Sequence, residues 1–167
     1  MKQEIQARLD QVFEKKNRVD TATAQAKSAQ EQKEEDAVRK FKALMESVIK
    51  PTMQQFGDYL SAKGHPVEIF AEDEKIEGSY PNQRPREAFV ELRFSSDSQL
   101  PPRYSVNQGP HFNVYLDKAH SKVWFQESTM TPTRGGHAGK CGEADLDKLT
   151  SELLEPFIAK TIESVFG

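Results

Sequence analysis

The first fifty residues contain neither glycine nor proline, and this restricts the N-terminal third of the chain to a helix. Alanine, glutamine, glutamate and lysine fill the segment, and all four favour helical structure. Large apolar residues recur at steps of four and three, which is the heptad spacing of a coiled coil. They are Ile5, Leu9, Val12 and Val19. The sequence therefore predicts a long helix with an apolar seam near its start.

After Val19 the seam continues with small and polar residues, so residues 1–34 cannot bury an apolar face against themselves. A lone helix of this kind is only marginally stable in water, because it gains nothing from packing. Two interpretations stay open: a coiled coil with another copy or a different protein, and a solvated extension that frays. We predict a helical extension or coiled coil over 1–34 and a folded domain over 35–167.

A denser apolar stripe with helical period follows from Phe41 to Leu60, and it predicts a core-facing helix over 36–63. Pro51 lies inside the stripe, and its ring and missing N–H predict a kink near residues 49–50. Because the stripe keeps its phase across the proline, we expect a kink and not a break. Gly64 and Pro66 predict the end of this helix.

Beyond Gly64 the apolar period changes to two, which is typical of half-buried strands. Four segments alternate in this way, and "RYSV" is a weaker candidate. The four are "PVEIFAED", "EAFVELRFSS", "HFNVYLD" and "KVWFQEST". Short links such as "KAHS" (118–121), with no helix between strands, predict an antiparallel sheet between residues 66 and 129.

The C-terminal segment has apolar residues at helical spacing and predicts a helix over 144–166, with Glu143 or Asp145 as its N-cap and a bend at Pro156. The predicted fold class is α+β. A long, coiled-coil-like N-terminal helix precedes a four- to five-stranded antiparallel sheet, which two helices cover on one face.

Alternation sends aromatic and polar side chains to the opposite face of the sheet. Such a face can bind a partner, but cross-strand aromatic pairs also stabilise sheets without any ligand. The candidate residues of this face are Phe70, Phe89, Arg93, Tyr115 and Trp124.

Residues 131–145, "TPTRGGHAGKCGEAD", concentrate glycines and two cations, and we predict a loop over 131–143. The motif is not a phosphate loop, because the spacing is one residue short and Cys141 stands where a hydroxyl residue is required. Glycine amides and cations can still bind an anion or an acidic partner, and a mobile surface loop is the alternative. The candidate residues are Arg134, Gly135, Gly136, His137 and Lys140.

Other chemistry has little support in the sequence. Cys141 and His137 suggest a nucleophile and base, but a glycine-rich loop holds geometry poorly. The four histidines lack metal-ligand spacing, and a single cysteine forms no internal disulfide. "REAFVELRF" matches only part of an RNA-binding strand signature. We predict no catalytic residue, no metal and no cofactor.

Charge and hydropathy restrict the class of partner and the cellular location that the sequence predicts. The net charge of −3 makes nucleic acid an unlikely partner, and the absence of an apolar run of 18 residues predicts no membrane span. The N-terminus shows no secretory signal. We therefore expect a cytoplasmic protein whose partner is another protein.

Two stretches, "VIKPTMQQFGDYLSAKGHPVEI" and "ESTMTPTRGGHAGKCGE", resemble a group of uncharacterised bacterial proteins. In that group a long N-terminal helix precedes a small α+β domain. The resemblance covers most of the chain and implies a bacterial, cytoplasmic origin and this fold, but no activity.

Together these features predict a non-enzymatic interaction or assembly protein, which self-associates or docks through its N-terminal helix. The alternative is a domain that binds a small molecule or an anion through residues 131–143.

Overall fold

The computed structural model describes residues 3–78, 81–103, 109–131 and 135–167. One continuous helix opens the chain: α1 (Gln3–Leu44), a π-helical turn (Met45–Ile49) and α2 (Lys50–Ala62). Within the described residues, seven strands, a 3-10 turn and a C-terminal helix follow. They are β1 (Val67–Glu72), β2 (Lys75–Glu77), β3 (Arg84–Arg86), β4 (Phe89–Phe94), β5 (His111–Asp117), β6 (Lys122–Ser128), β7 (Ala138–Asp145), the 3-10 turn (Leu146–Lys148) and α3 (Ser151–Phe166).

The predicted α+β fold class is confirmed. Strands β1, β4, β5, β6 and β7 form one antiparallel sheet in that spatial order, and β2 pairs with β3 in a separate ribbon. The link between β5 and β6 is residues 118–121, as predicted from "KAHS". Helices α2 and α3 pack against the same face of the sheet and against each other.

The core lies between this face and the helices, and its apolar side chains follow from the two periods in the sequence. The helices contribute Phe41, Ile49, Met53, Leu154 and Ile158, all fully buried. Every second residue of the central strands points to meet them: Val90, Leu92, Phe94, Phe112, Val114, Leu116, Val123 and Phe125.

Pro51 leaves the helix unbroken, with a π-helical turn immediately before it. The amide of Lys50 donates to the carbonyl of Met45, one residue farther back than in an α-helix. A proline in a regular helix crowds the carbonyl four residues earlier and removes a donor, and a wider turn is one way to absorb both. The π-helical turn ends at Ile49, where the sequence predicts a kink, and the kink itself stays a prediction.

Two boundaries near the C-terminus were wrong. Residues 138–143 belong to strand β7 and not to a loop, so the sheet extends past residue 129. The C-terminal helix begins at Ser151, not at residue 144, and Pro156 lies inside it. Gly142 explains the first error: a Cβ there would lie 2.7 Å from the Phe157 ring, so glycine is needed for the helix to pack on this strand.

Two smaller predictions also need correction. Residues 75–77 and 84–86, which lie outside the predicted strands, form the β2–β3 ribbon. Neither Glu143 nor Asp145 caps α3, because both lie in β7. The weaker strand candidate "RYSV" lies mostly outside the described residues, and the fifth strand of the sheet is β7.

The N-cap of α3 is Thr150, whose side-chain oxygen accepts a hydrogen bond from the Leu153 amide at 3.3 Å. We expect Thr150→Ala to lower the free energy of unfolding by about 1 kcal/mol, because a helix amide loses its partner. Thr150→Ser keeps the hydroxyl and serves as the control. Urea denaturation measures both, and equal stability of the alanine and serine variants would contradict the assignment.

Candidate functional site

The N-terminal helix carries an uncovered apolar stripe. Every residue from 3 to 33 is exposed, and no other element of the described chain packs on this part of α1. All four predicted seam residues, Ile5, Leu9, Val12 and Val19, are exposed, Val12 by 62 %. Phe13, which the seam prediction omitted, lies beside them and is 60 % exposed. These five large side chains fall within the first five turns of one helix.

Beyond residue 34 the same helix joins the folded domain. Ala37 and Phe41 are buried in the core, and Lys40 forms an ion pair with Asp147 of the 3-10 turn. Lys42 lies 3.3 Å from Asp73, which follows β1. The domain therefore holds the helix at its C-terminal end and leaves the seam to project away.

The outer face of the sheet, opposite the helices, presents three cross-strand rows. The first row is Glu68, Arg93, His111, Ser128 and Ala138; the second is Phe70, Glu91, Asn113, Gln126 and Lys140; the third is Glu72, Phe89, Tyr115, Trp124 and Glu143. The predicted sheet-face residues all belong to these rows.

Four of these predicted residues form one aromatic ladder. Ring centroids lie 5.9 Å apart for Phe70 and Phe89, 5.3 Å for Phe89 and Tyr115, and 4.2 Å for Tyr115 and Trp124. The last two rings are nearly parallel, at 10°. Such cross-strand stacking stabilises the sheet and gives this face a continuous apolar wall.

Arg93 is not a surface group, although sequence reasoning placed it with the exposed candidates. Its side chain is only 3 % exposed, and it donates to Glu68 at 2.9 Å and to the carbonyl of Pro101 at 2.6 Å. Arg93 also lies 3.8 Å from Glu91, and Arg103 contacts the same two carboxylates, Glu68 at 2.9 Å and Glu91 at 3.5 Å. These pairs tie the segment after β4 down onto the outer face.

A cavity of about 370 Å³ opens on this face between the sheet and the residues that cover it. Glu91, His111 and Asn113 form its buried floor, and Phe70, Phe89 and Tyr115 contribute aromatic surface. Arg103 lies 3.6 Å above the Phe70 ring and Arg86 lies 4.9 Å above the Phe89 ring. Burial, with a smaller effect of the Glu91 carboxylate, raises the pKa of Tyr115, so its hydroxyl keeps its proton.

The glycine-rich segment does not gather its predicted cations into one site. Arg134 lies outside the described residues. Lys140 pairs with Glu143, which also contacts Lys122 at 3.1 Å, and the two lysines lower the pKa of Glu143. Gly135 and Gly136 lie in the turn before β7, where a Cβ on Gly136 would lie 2.4 Å from the Thr129 carbonyl.

His137 instead takes part in a cluster that sequence reasoning missed. Its Nε2 lies 2.8 Å from the buried carboxylate of Glu127, which also accepts a 2.7 Å hydrogen bond from the Thr161 hydroxyl. Thr129 lies 3.2 Å from the other ring nitrogen. Burial is the largest single influence on the pKa of Glu127 and raises it, but the hydrogen bonds from His137 and Thr161, together with electrostatic interactions with His137 and Lys160, leave the pKa lowered. Glu127 follows Val123 and Phe125 in the alternation that faces the core in β6. A carboxylate at such an apolar position is the sequence signal that could have indicated this cluster.

The lowered pKa of Glu127 gives the fold a pH dependence. A depressed pKa contributes stability above the ordinary value of 4.5, and this contribution is lost as the pH falls through the folded-state value. We expect Glu127→Gln to cost about 1.5 kcal/mol at pH 7 and progressively less below pH 4.5, because charged hydrogen bonds are lost.

Denaturant titration of both proteins at pH 7 and at several pH values below 4.5 measures the loss of unfolding free energy caused by Glu127→Gln. Glu14→Gln, in an exposed pair with Arg18, is the control and should change stability by less than about 0.5 kcal/mol. A cost for Glu127→Gln that stays constant down to the most acidic pH would contradict this account.

Cys141 is the extra residue of a β-bulge between β6 and β7, and it packs against the core. Burial is the largest cause that raises the pKa of its thiol to about 11, so at neutral pH the thiol stays protonated. The thiolate needed for nucleophilic attack is therefore scarce.

Within residues 3–78, 81–103, 109–131 and 135–167, no three side chains of the metal-binding types converge on one point. The helices of this same portion also lack a stretch with the length and hydropathy to cross a bilayer. Comparison with protein-family models, with curated proteins and with solved structures gave no match to this chain.

Proposed function

We propose that this chain is a non-enzymatic interaction protein that self-associates by pairing its N-terminal helix with the same helix of a second copy. The exposed seam of α1 carries the proposal. A bacterial cytoplasmic setting rests on the resemblance of two sequence stretches and is part of the proposal.

The seam supports a partner because the helix lacks another source of stability. Its exposed part is held only by its own backbone hydrogen bonds and by surface pairs such as Arg18–Glu14, each of small value. Burying a large apolar side chain contributes about 1.5–3 kcal/mol. A second helix that covers Ile5, Leu9, Val12, Phe13 and Val19 would supply the missing packing.

The charges beside the seam favour an identical helix as the partner. With Leu9 at position a and Val12 at position d of the heptad, Lys15 falls at g and Asp20 at e. In a parallel pair of identical helices, g of one chain faces the following e of the other, so Lys15 meets Asp20 twice. Lys16 falls at an a position, where a lone polar residue selects register at some cost in stability.

Light scattering of the full chain over a concentration series tests the proposal. We expect the average mass to rise to that of two chains, each of 18.9 kDa. A single-chain mass at every concentration would contradict self-association. In that case, capture of another protein that depends on Leu9 and Val12 would indicate docking to a different helix.

Anion binding by residues 131–143 stays a prediction. Among the described residues of that segment, Lys140 and His137 each contact a carboxylate, which reduces the positive charge available to an anion.

A further inference from the structure

The floor of the cavity on the outer face contains a buried polar side chain, Asn113, with one hydrogen-bond acceptor that no described residue satisfies. Asn113 is 2 % exposed, and its Nδ2 donates to the Tyr115 hydroxyl at 3.1 Å. No group within the described part of the chain donates to its Oδ1, which is also buried. A buried acceptor without a donor costs about 1–3 kcal/mol, so its retention in the floor of a cavity indicates a ligand that donates.

His111 adds a second acceptor beside Asn113. Its Nδ1 lies 3.0 Å from the carbonyl of Gly109, and since a carbonyl only accepts, Nδ1 donates this hydrogen bond. In the tautomer with its proton on Nδ1, Nε2 is an acceptor, and His111 lines the cavity. Gln126 and Ser128 face the same space from β6 and offer an amide and a hydroxyl.

Among the described residues, the guanidinium groups that line the cavity are paired. Arg86 contacts Glu72 and Glu77, and Arg103 contacts Glu68 and Glu91. Because each guanidinium already contacts carboxylates, the part of the lining that the structure describes offers no unpaired cation to a phosphate. The ligand that fits is therefore neutral.

The aromatic walls of the cavity also favour a ligand that contains a ring. Phe70, Phe89 and Tyr115 present apolar surface beside the polar floor, an arrangement that stacks on one face of a ring and binds its polar edge. The volume of about 370 Å³ is near the lower limit of small-molecule sites, about 300–1,000 Å³.

We propose that this cavity binds a neutral hydroxylated ring compound of monosaccharide or nucleoside size, whose O–H or N–H groups donate to Asn113 and His111 while the ring lies against Phe89 and Tyr115. This site is separate from the helix seam. A chain with a substituted seam should therefore bind the same compound with unchanged affinity.

Trp124 provides the reporter, because it is the sole tryptophan and stacks on Tyr115. Its indole N–H gives a single resolved NMR signal that can be followed while the full chain is titrated. One arm uses glucose, galactose and mannose, and the other uses adenosine, guanosine, cytidine and uridine. Glucose 6-phosphate and adenosine monophosphate are the charged comparators. We expect saturable shifts in one arm, which identifies the source, and weaker binding of its phosphorylated form.

Two variants locate the site. Asn113→Leu keeps the branched shape of the side chain and removes the unpartnered acceptor, and Gln126→Leu removes an amide that lines the cavity. Each should weaken binding at least about tenfold, the equivalent of about 1.4 kcal/mol. Lys122→Ala, on the outer face of β6 but outside the cavity, should leave affinity unchanged.

Three results would overturn the proposal: no saturable shift in either arm, undiminished affinity in both leucine variants, or tighter binding of the phosphorylated comparators. Gln126→Leu keeps the test decisive if Asn113→Leu fails to fold.

Discussion

Replacing Leu9 and Val12 with glutamate is expected to separate the associated protein into single chains. In a paired helix both side chains are buried, and each contributes about 1.5–3 kcal/mol to association. The pair holds two copies of each residue, so the loss is at least about 4 kcal/mol and weakens association at least about a thousandfold. In the single chain both residues are exposed, so the folded domain should keep its thermal stability. Sedimentation equilibrium measures the change in mass.

The control adds the same two charges to the opposite side of the helix. Ala7→Glu with Gln11→Glu changes exposed residues outside the seam and should leave the association constant within about threefold of the unsubstituted chain. If both double variants weakened association equally, net charge and not the seam would be responsible.

Arg93→Met is expected to produce the largest loss of stability among the outer-face residues, about 3 kcal/mol. The substitution removes a buried guanidinium that contacts Glu68, Glu91 and the Pro101 carbonyl. Removing one partner of a buried charge network leaves the remaining charges poorly compensated, and this cost exceeds the apolar gain from methionine.

Arg18→Met is the matched control, because Arg18 is exposed and pairs only with Glu14 one turn away. We expect it to change the free energy of unfolding by less than about 0.5 kcal/mol. Guanidinium denaturation of both variants tests the comparison. A loss for Arg93→Met no larger than that for Arg18→Met would show that the buried network does not hold the segment after β4 in place.

Most of the fold could be predicted because its signals are local. The absence of glycine and proline before Lys50 indicated the long helix, and the period of two at Val90, Leu92 and Phe94 indicated a strand with one buried face. Strand β7 could not be predicted in this way, because its glycines give it the composition of a loop, and the reason for one of them, Gly142, lies in another element. Gly142 leaves room for the ring of Phe157, a contact between residues of different elements.

The two candidate sites differ in the same way: one depends on a local pattern, and the other depends on contacts between elements. The seam was visible because its residues share one helix face, whereas the cavity combines residues from several strands with Arg103 from a connecting segment. The alternation of β5 placed His111 and Asn113 outward, but only the cross-strand register brings them beside Glu91 and Gln126. Arg93 was assigned to the exposed face because alternation gives the direction of a side chain and not what covers it.

The central claim is that a second helix covers the seam of α1, and hydrogen exchange of the full chain tests it most directly. We predict that the amides of residues 5–19 exchange slowly at high protein concentration and faster on dilution, while those of β4 and β5 stay protected throughout. Rapid exchange of residues 5–19 at every concentration would contradict the claim, because a seam that packs against nothing cannot slow the opening of its helix.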